Sequence, residues 1–180
     1  VFCLMGVAPQ AALMRDPTLI PFNIGRAIIL DDFTEAEALG LLDGLGRPAP
    51  IARKLLERVM YWTSGHPYLT QRFCGVLFER PQLVTPEGVD EICREFFLGK
   101  DSLVEDPKLS HVRSVLMGLA GEGADSLRLY ERVLGGEFVP DDEQDRAIRG
   151  LQLLGLVRAE RGVLMVRNRV FAAAFNKDWV

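Results

Sequence analysis

Residues 62–75 read WTSGHPYLTQRFCG. Two apolar helical runs meet here, separated by Gly65, His66 and Pro67. The run before the break, about Pro50–Thr63, sets Leu55, Leu56, Val59 and Met60 on one stripe, the spacing of a helix that buries one face. Gly65 fits a left-handed cap on that helix. Pro67 fits the first position of the next helix, where its missing N–H costs nothing. That helix is predicted to run to about Phe78.

Outward from this junction the pattern stays helical. Thr34 followed by Glu37 matches a capping box, each side chain satisfying the other's backbone donor. It opens a helix to about Leu42, ended by Gly44 and Gly46. Thr85, Pro86 and Glu87 open another, with Thr85 as N-cap, to about Phe97. Residues 32–100 are therefore predicted to be a four-helix unit with short loops. Residues 99–108 are charged and contain Gly99 and Pro107, which predicts a linker. Three helices follow, at about 110–120, 126–134 and 141–154. Two alternating strands, Leu156–Ala159 and Val163–Arg167, are joined by a Gly-containing turn. A last helix covers Arg169 to about Lys177. Three helices and then a hairpin is the winged-helix order, predicted for residues 101–180.

The first 31 residues differ. Val1–Val7 is a continuous apolar run, predicted to be a buried strand. Residues 8–25 carry Pro9, Pro17, Pro21, Asn23 and Gly25 and read as loop, with a short helix near Gln10–Met14. Arg26–Leu30 is a second short strand. Two strands do not make a stable sheet alone, so the sequence predicts partner strands from elsewhere and a chain cut from a longer protein. The fold class expected is mainly α with small β (α+β).

The chain has 180 residues, 48% apolar, with a formal net charge of -4. That apolar share supports a core and argues against disorder. The negative balance argues against a nucleic-acid or anionic-membrane partner. Val1–Ala8 is too short to span a bilayer. Cys3, Cys74 and Cys93 are widely spaced and odd in number, which gives no disulfide framework and predicts a reducing, cytoplasmic setting. His66 and His111 have no Cys-x-x-Cys pair nearby, so no zinc site is expected.

A winged helix commonly lays its third helix in the DNA major groove. Here that segment reads DDEQDRAIRG, with Asp141, Asp142, Glu143 and Asp145 against Arg146 and Arg149. Such a helix repels phosphate, and phosphate contacts dominate DNA affinity. The wing offers Arg158, Arg161, Arg167 and Arg169, with Glu160 among them. No nucleophile motif, acid/base pair or phosphate-binding loop is present. His66 alone reads as a hinge histidine, and Asn168 alone as a helix N-cap.

Four stretches carry a resemblance: FNIGRAIILDDFTEAEA (22–38), YWTSGHPYLTQRFC (61–74), LRLYERVLGG (127–136) and LGLVRAERGVLMVRNRVFAAAFNKDWV (154–180). In this order they resemble the AAA-like NTPase domain of bacterial STAND proteins, signal-transduction ATPases of the AAA+ superfamily often fused to WD repeats or effector domains. The resemblance implies a C-terminal part of that module: a core remnant at 1–31, a helical lid at 32–100 and a winged helix at 101–180. Gly65-His66-Pro67 is similar to the Gly-x-Pro motif of the class. It implies that Pro67 lies against a nucleotide base and that His66 reaches a base edge or a phosphate. A proline ring is flat, apolar and fixed in φ, which suits that contact. The segment with Phe22 and Asn23 would lie near the base. Arg167, Asn168 and Arg169, at the end of the wing, would meet the β-phosphate of ADP.

The phosphate-binding loop and the magnesium-binding acidic strand of the class are missing from this sequence and would lie upstream. The cofactors implied are ATP or ADP with Mg in the intact protein, and this piece alone is not expected to hydrolyse ATP. The partners implied are the upstream nucleotide-binding core, further copies of the protein, and effector or sensor domains. The function implied is a switch, with lid and winged helix closed on ADP and released by exchange for ATP. Two alternatives stand beside it: a DNA-binding winged-helix regulator, and a structural interaction module without nucleotide.

Overall fold

The computed structural model describes residues 31–99, 101–122, 124–142 and 144–179. The strands expected at Val1–Val7 and Arg26–Leu30, the loop between them, and Phe22 and Asn23 lie outside the described residues. What is described is mainly helical, with one two-stranded antiparallel sheet.

The first helix, α1, is Glu35–Ala38. Thr34 Oγ1 accepts from the Glu37 N–H at 3.2 Å, and the Glu37 carboxylate accepts from the Thr34 N–H at 2.8 Å, so the capping box is closed both ways. The expected helix to Leu42 is shorter. After Ala38 the chain tightens into 3-10 turns at Leu39–Leu41 and Asp43–Leu45, ending at Gly46 with φ 65°. The glycines of this stretch loosen the α-helical hydrogen-bond ladder, and the tighter turn swings Leu45 fully into the core.

Helix α2 is Ala49–Thr63, α3 is Pro67–Glu79 and α4 is Pro86–Phe96. Leu55 and Val59 of α2, Leu69 and Phe73 of α3, and Val89 and Ile92 of α4 are all fully buried against one another. Phe73 stacks on Phe97 with centroids 4.7 Å apart. Thr85 stands at the N-cap of α4 but makes no side-chain cap bond there. Arg47 ties the unit together. Its guanidinium donates to the carbonyls of Leu45, Leu77 (2.6 Å), Arg80 (2.6 Å) and Leu83 (3.2 Å), so one side chain bridges four carbonyls, of which those of Leu77 and Arg80 also accept from the N–H groups of Arg80 and Leu83.

The stretch 99–108, expected as a linker, is helical and anchored. Helix α5 is Ser102–Glu105 and α6 is Pro107–Glu122. Ser102 Oγ donates to the carbonyls of Phe97 (3.0 Å) and Gly99 (2.7 Å). Asp106 accepts from the N–H groups of Lys108 and Leu109, both at 3.0 Å, so it caps α6. Its second oxygen accepts from the Tyr68 hydroxyl at 2.9 Å. Of the charged residues in the stretch expected as a linker, Asp106 is the cap of α6.

Helix α7 is Ala124–Leu134 and α8 is Arg146–Leu154. The expected start of α8 at 141 moves to Arg146, because Asp145 is the cap and accepts from the N–H groups of Ala147 (2.7 Å) and Ile148 (3.2 Å). Asp141, Asp142 and Asp145 thus precede the helix, and the exposed charges of α8 itself are Arg146 and Arg149. Strands β1, Val157–Glu160, and β2, Val163–Val166, pair with Val157 opposite Val166. Their two-residue turn has φ 52° at Arg161 and 79° at Gly162, which matches the right-handed twist of a hairpin. Pro140 adds an isolated bridge to Val163. Helix α9, Arg169–Ala174, is shorter than expected and is capped by Asn168. Phe171 and Phe175 of α9 are fully buried, and Trp179 packs edge-on against Phe175. Residues Asp32–Val180 together make one compact unit.

Candidate functional site

The turn between α2 and α3 is shaped by two left-handed residues, Ser64 (φ 49°) and Gly65 (φ 81°). The cap that was expected at Gly65 alone begins one residue earlier. Gly65 is required for space as well as for φ. A Cβ there would lie 2.1 Å from the Phe33 carbonyl oxygen, because the Phe33 N–H donates to the Gly65 carbonyl at 2.8 Å. The buried Thr63 hydroxyl accepts from the Gly65 N–H at 3.3 Å and shares a 2.8 Å hydrogen bond with Thr70. Pro67 opens α3 and is half-buried.

Against this turn lies the segment that follows β2. The His66 ring meets Phe171 edge-on, centroids 5.7 Å apart. Arg167 donates to both carboxylate oxygens of Asp32, at 3.1 and 2.7 Å. Asn168 Oδ1 accepts from the Phe171 N–H at 2.9 Å, so Asn168 does cap α9. Arg169 donates to the Tyr61 carbonyl at 2.9 Å and lies 4.0 Å above the Tyr61 ring, while Arg58 covers the ring at 4.3 Å. Gly65, His66 and Pro67 are thus brought close to Arg167, Asn168 and Arg169.

Two polar atoms at this meeting place have no hydrogen-bond partner among the described residues: His66 Nδ1 and Asn168 Nδ2. His66 is 7% exposed and Asn168 4%. Buried polar atoms are nearly always paired, and an orphan costs about 1–3 kcal/mol. Lys108, half-buried, donates to the Leu154 carbonyl at 3.1 Å. Its pKa is lowered by burial and then by Arg167. His66 is pushed down to about 4, by burial first and by Arg167 and Lys108 after it, with Asp32 opposing. At neutral pH the imidazole is therefore uncharged.

Sequence reasoning missed Asp32, Lys108 and Tyr61. Asp32 reads as one of two acids before a helix, and Lys108 as a polar residue after a proline. A cavity of about 260 Å³ near the ends of α4 and α9, lined by Phe97, Leu103, Ala173 and Trp179 among others, lies apart from this cluster.

The histidine gives a measurable signature. Its pKa is near 6.5 unfolded and about 4 folded, so protons bind the unfolded state more tightly and stability falls as pH drops through this window. Between pH 7 and pH 5 the loss from this group is about 2 kcal/mol. Urea unfolding at both pH values is expected to show it in the native protein and not in His66→Phe. Equal pH dependence in the two would place the titration elsewhere.

Over 191 aligned positions the chain is 33% identical to a protein of Synechocystis sp. (strain ATCC 27184 / PCC 6803 / Kazusa) described as an uncharacterized WD repeat-containing protein. The match takes in 99% of this chain and 16% of that protein, so the chain corresponds to a small part of its relative. No family model matches the sequence, and no solved structure matches it. Among the described residues no helix is long and apolar enough to cross a membrane.

Proposed function

We propose that residues 32–180 are the lid and winged-helix part of a STAND-type nucleotide switch, which closes around ADP and governs self-association and effector activation. The observation that carries the reading is the convergence of the Gly65–Pro67 turn and the Arg167–Arg169 wing end, with two buried polar atoms unpaired between them. The residues present fit a phosphate. Arg167 has a planar fork suited to phosphate oxygens, Lys108 brings a second cation, and Asn168 Nδ2 is a donor in want of an acceptor. Neutral His66 adds a donor or an acceptor without a charge. The half-buried Pro67 ring is the apolar surface for a base.

In this reading the nucleotide supplies an anionic group whose presence or absence sets which state is favoured, and it must discriminate the two states by several kcal/mol. Arg167 and Asn168 hold the wing end against it, and the Gly65 turn fixes Pro67 and His66 on the lid side. Among the described residues no group of three or more His, Cys, Asp or Glu converges as a metal site. The reading assigns the magnesium ligands, like the phosphate-binding loop, to the upstream core. The WD repeats named for the relative fit a sensor or effector in the same polypeptide.

The test is calorimetric titration of ADP into the full-length protein, native and with Pro67→Ala and Asn168→Ala. Each variant is expected to weaken binding at least about tenfold, the equivalent of about 1.4 kcal/mol. Native affinity in both variants, or no binding by the native protein, would remove the nucleotide and leave a module that holds proteins together.

A further inference from the structure

We infer that Asp32 is a built-in competitor for the anion that Arg167 and Lys108 would otherwise hold. This rests on the nucleotide reading above and concerns what the site must give up when a phosphate arrives.

The Arg167 fork is already engaged. Its Nε and one terminal nitrogen donate to the two oxygens of Asp32, a two-point pairing that a phosphate satisfies equally well. The partners lie 135 residues apart in sequence, so the pair ties the entry to α1 to the end of β2. Both are mostly withdrawn from water, with side chains 25% and 18% exposed, yet neither is sealed.

The charges around it do not balance. The remaining terminal nitrogen of Arg167 lies 2.8 Å from the point a Cβ on Gly155 would occupy, and Lys108 Nζ lies 3.7 Å from the same point. Two cations thus converge on the turn after α8. Asp32 offers one negative charge to the two of them. The Lys108 ammonium has the Leu154 carbonyl as partner, a dipole and not a charge. A phosphate group carrying two charges answers both cations, whereas the carboxylate answers one. Asn168, the next residue after Arg167, keeps a buried donor, Nδ2, without a partner. The site therefore discriminates by charge. Monoanions do not displace Asp32 and terminal phosphates do.

It follows that removing the carboxylate strengthens binding and removing the second cation weakens it. The experiment titrates the full-length protein with ADP, inorganic pyrophosphate and adenosine, using Asp32→Asn, Asp32→Ser and Lys108→Met. Ligand-free melting curves check that each variant folds. Both Asp32 variants are expected to bind ADP and pyrophosphate about tenfold more tightly and adenosine unchanged, and Lys108→Met to bind both anions about tenfold more weakly. ADP binding by the native protein with unchanged or weaker binding by the folded Asp32 variants would overturn the competitor and leave the switch standing. Equal tightening toward adenosine would overturn it as well, since no charge would be involved. No binding of any anion by native protein or variants would overturn both readings. Loss of the cooperative melt in both Asp32 variants would make the ion pair a structural tie and end the competitor role.

Discussion

Gly65→Ala is expected to lower the unfolding free energy by about 4 kcal/mol, the range reserved for a strained backbone combined with a forced displacement. Two causes add. Gly65 sits at φ 81°, where an L side chain is disfavoured. The new Cβ would also fall 2.1 Å from the Phe33 carbonyl oxygen and 3.0 Å from its nitrogen and carbonyl carbon. All three atoms are backbone and do not rotate away. Relief requires the segment at Phe33 to lift off the turn and give up the 2.8 Å hydrogen bond to Gly65. Near 180 residues this corresponds to a fall in Tm of about 8–16 °C. Gly75→Ala is the control. Gly75 is exposed within α3 with nothing within 4 Å of its Cβ position, so alanine there is expected to gain about 0.5–1 kcal/mol. Thermal melts of the two variants side by side decide the matter. Equal shifts would mean the turn is not held against Phe33.

Arg47→Met is expected to cost about 3 kcal/mol by urea unfolding, since four carbonyls lose a charged donor at once. The acceptors come from three places, Leu45 beside it, Leu77 and Arg80 at the end of α3, and Leu83 in the following loop. Methionine keeps much of the apolar stem, so the loss isolates the guanidinium. Arg47→Lys is expected to recover less than half. An ammonium is a point charge with three donors, and it lacks the flat fork that spans these carbonyls. A lysine variant as stable as the native protein would show that the charge alone holds the end of α3.

Parts of this structure were plain in the sequence for a local reason. The Thr34–Glu37 box, the Pro67 start, the Asn168 cap and the Gly-containing turn of the hairpin all act within four residues along the chain. Local hydrogen bonds and φ preferences fix them wherever the rest of the chain lies. The misjudged elements are those where a polar residue has two uses. The charged stretch 99–108, with Gly99 and Pro107, was read as a linker, but within it Asp106 serves as a cap and Ser102 as an anchor. Asp145 was read as the interior of a helix and is its N-cap. Charge along a sequence does not reveal whether a carboxylate faces water or a row of free N–H groups.

The candidate site divides in the same way. Gly65, His66, Pro67, Arg167, Asn168 and Arg169 were singled out by the resemblance of their stretches to a known class, whereas taken alone they read as a helix junction and a helix cap. The sequence by itself determined the helical class, the hairpin and both of these turns. Tertiary structure alone decided that the two turns meet, that Asp32 takes the Arg167 fork, that Lys108 joins it, and that His66 is buried deeply enough to stay neutral. The physical reason is range. A cap or a turn is closed by neighbours along the chain, whereas an ion pair spanning 135 residues exists only once the packing of Phe171 beneath His66 has brought its two ends together.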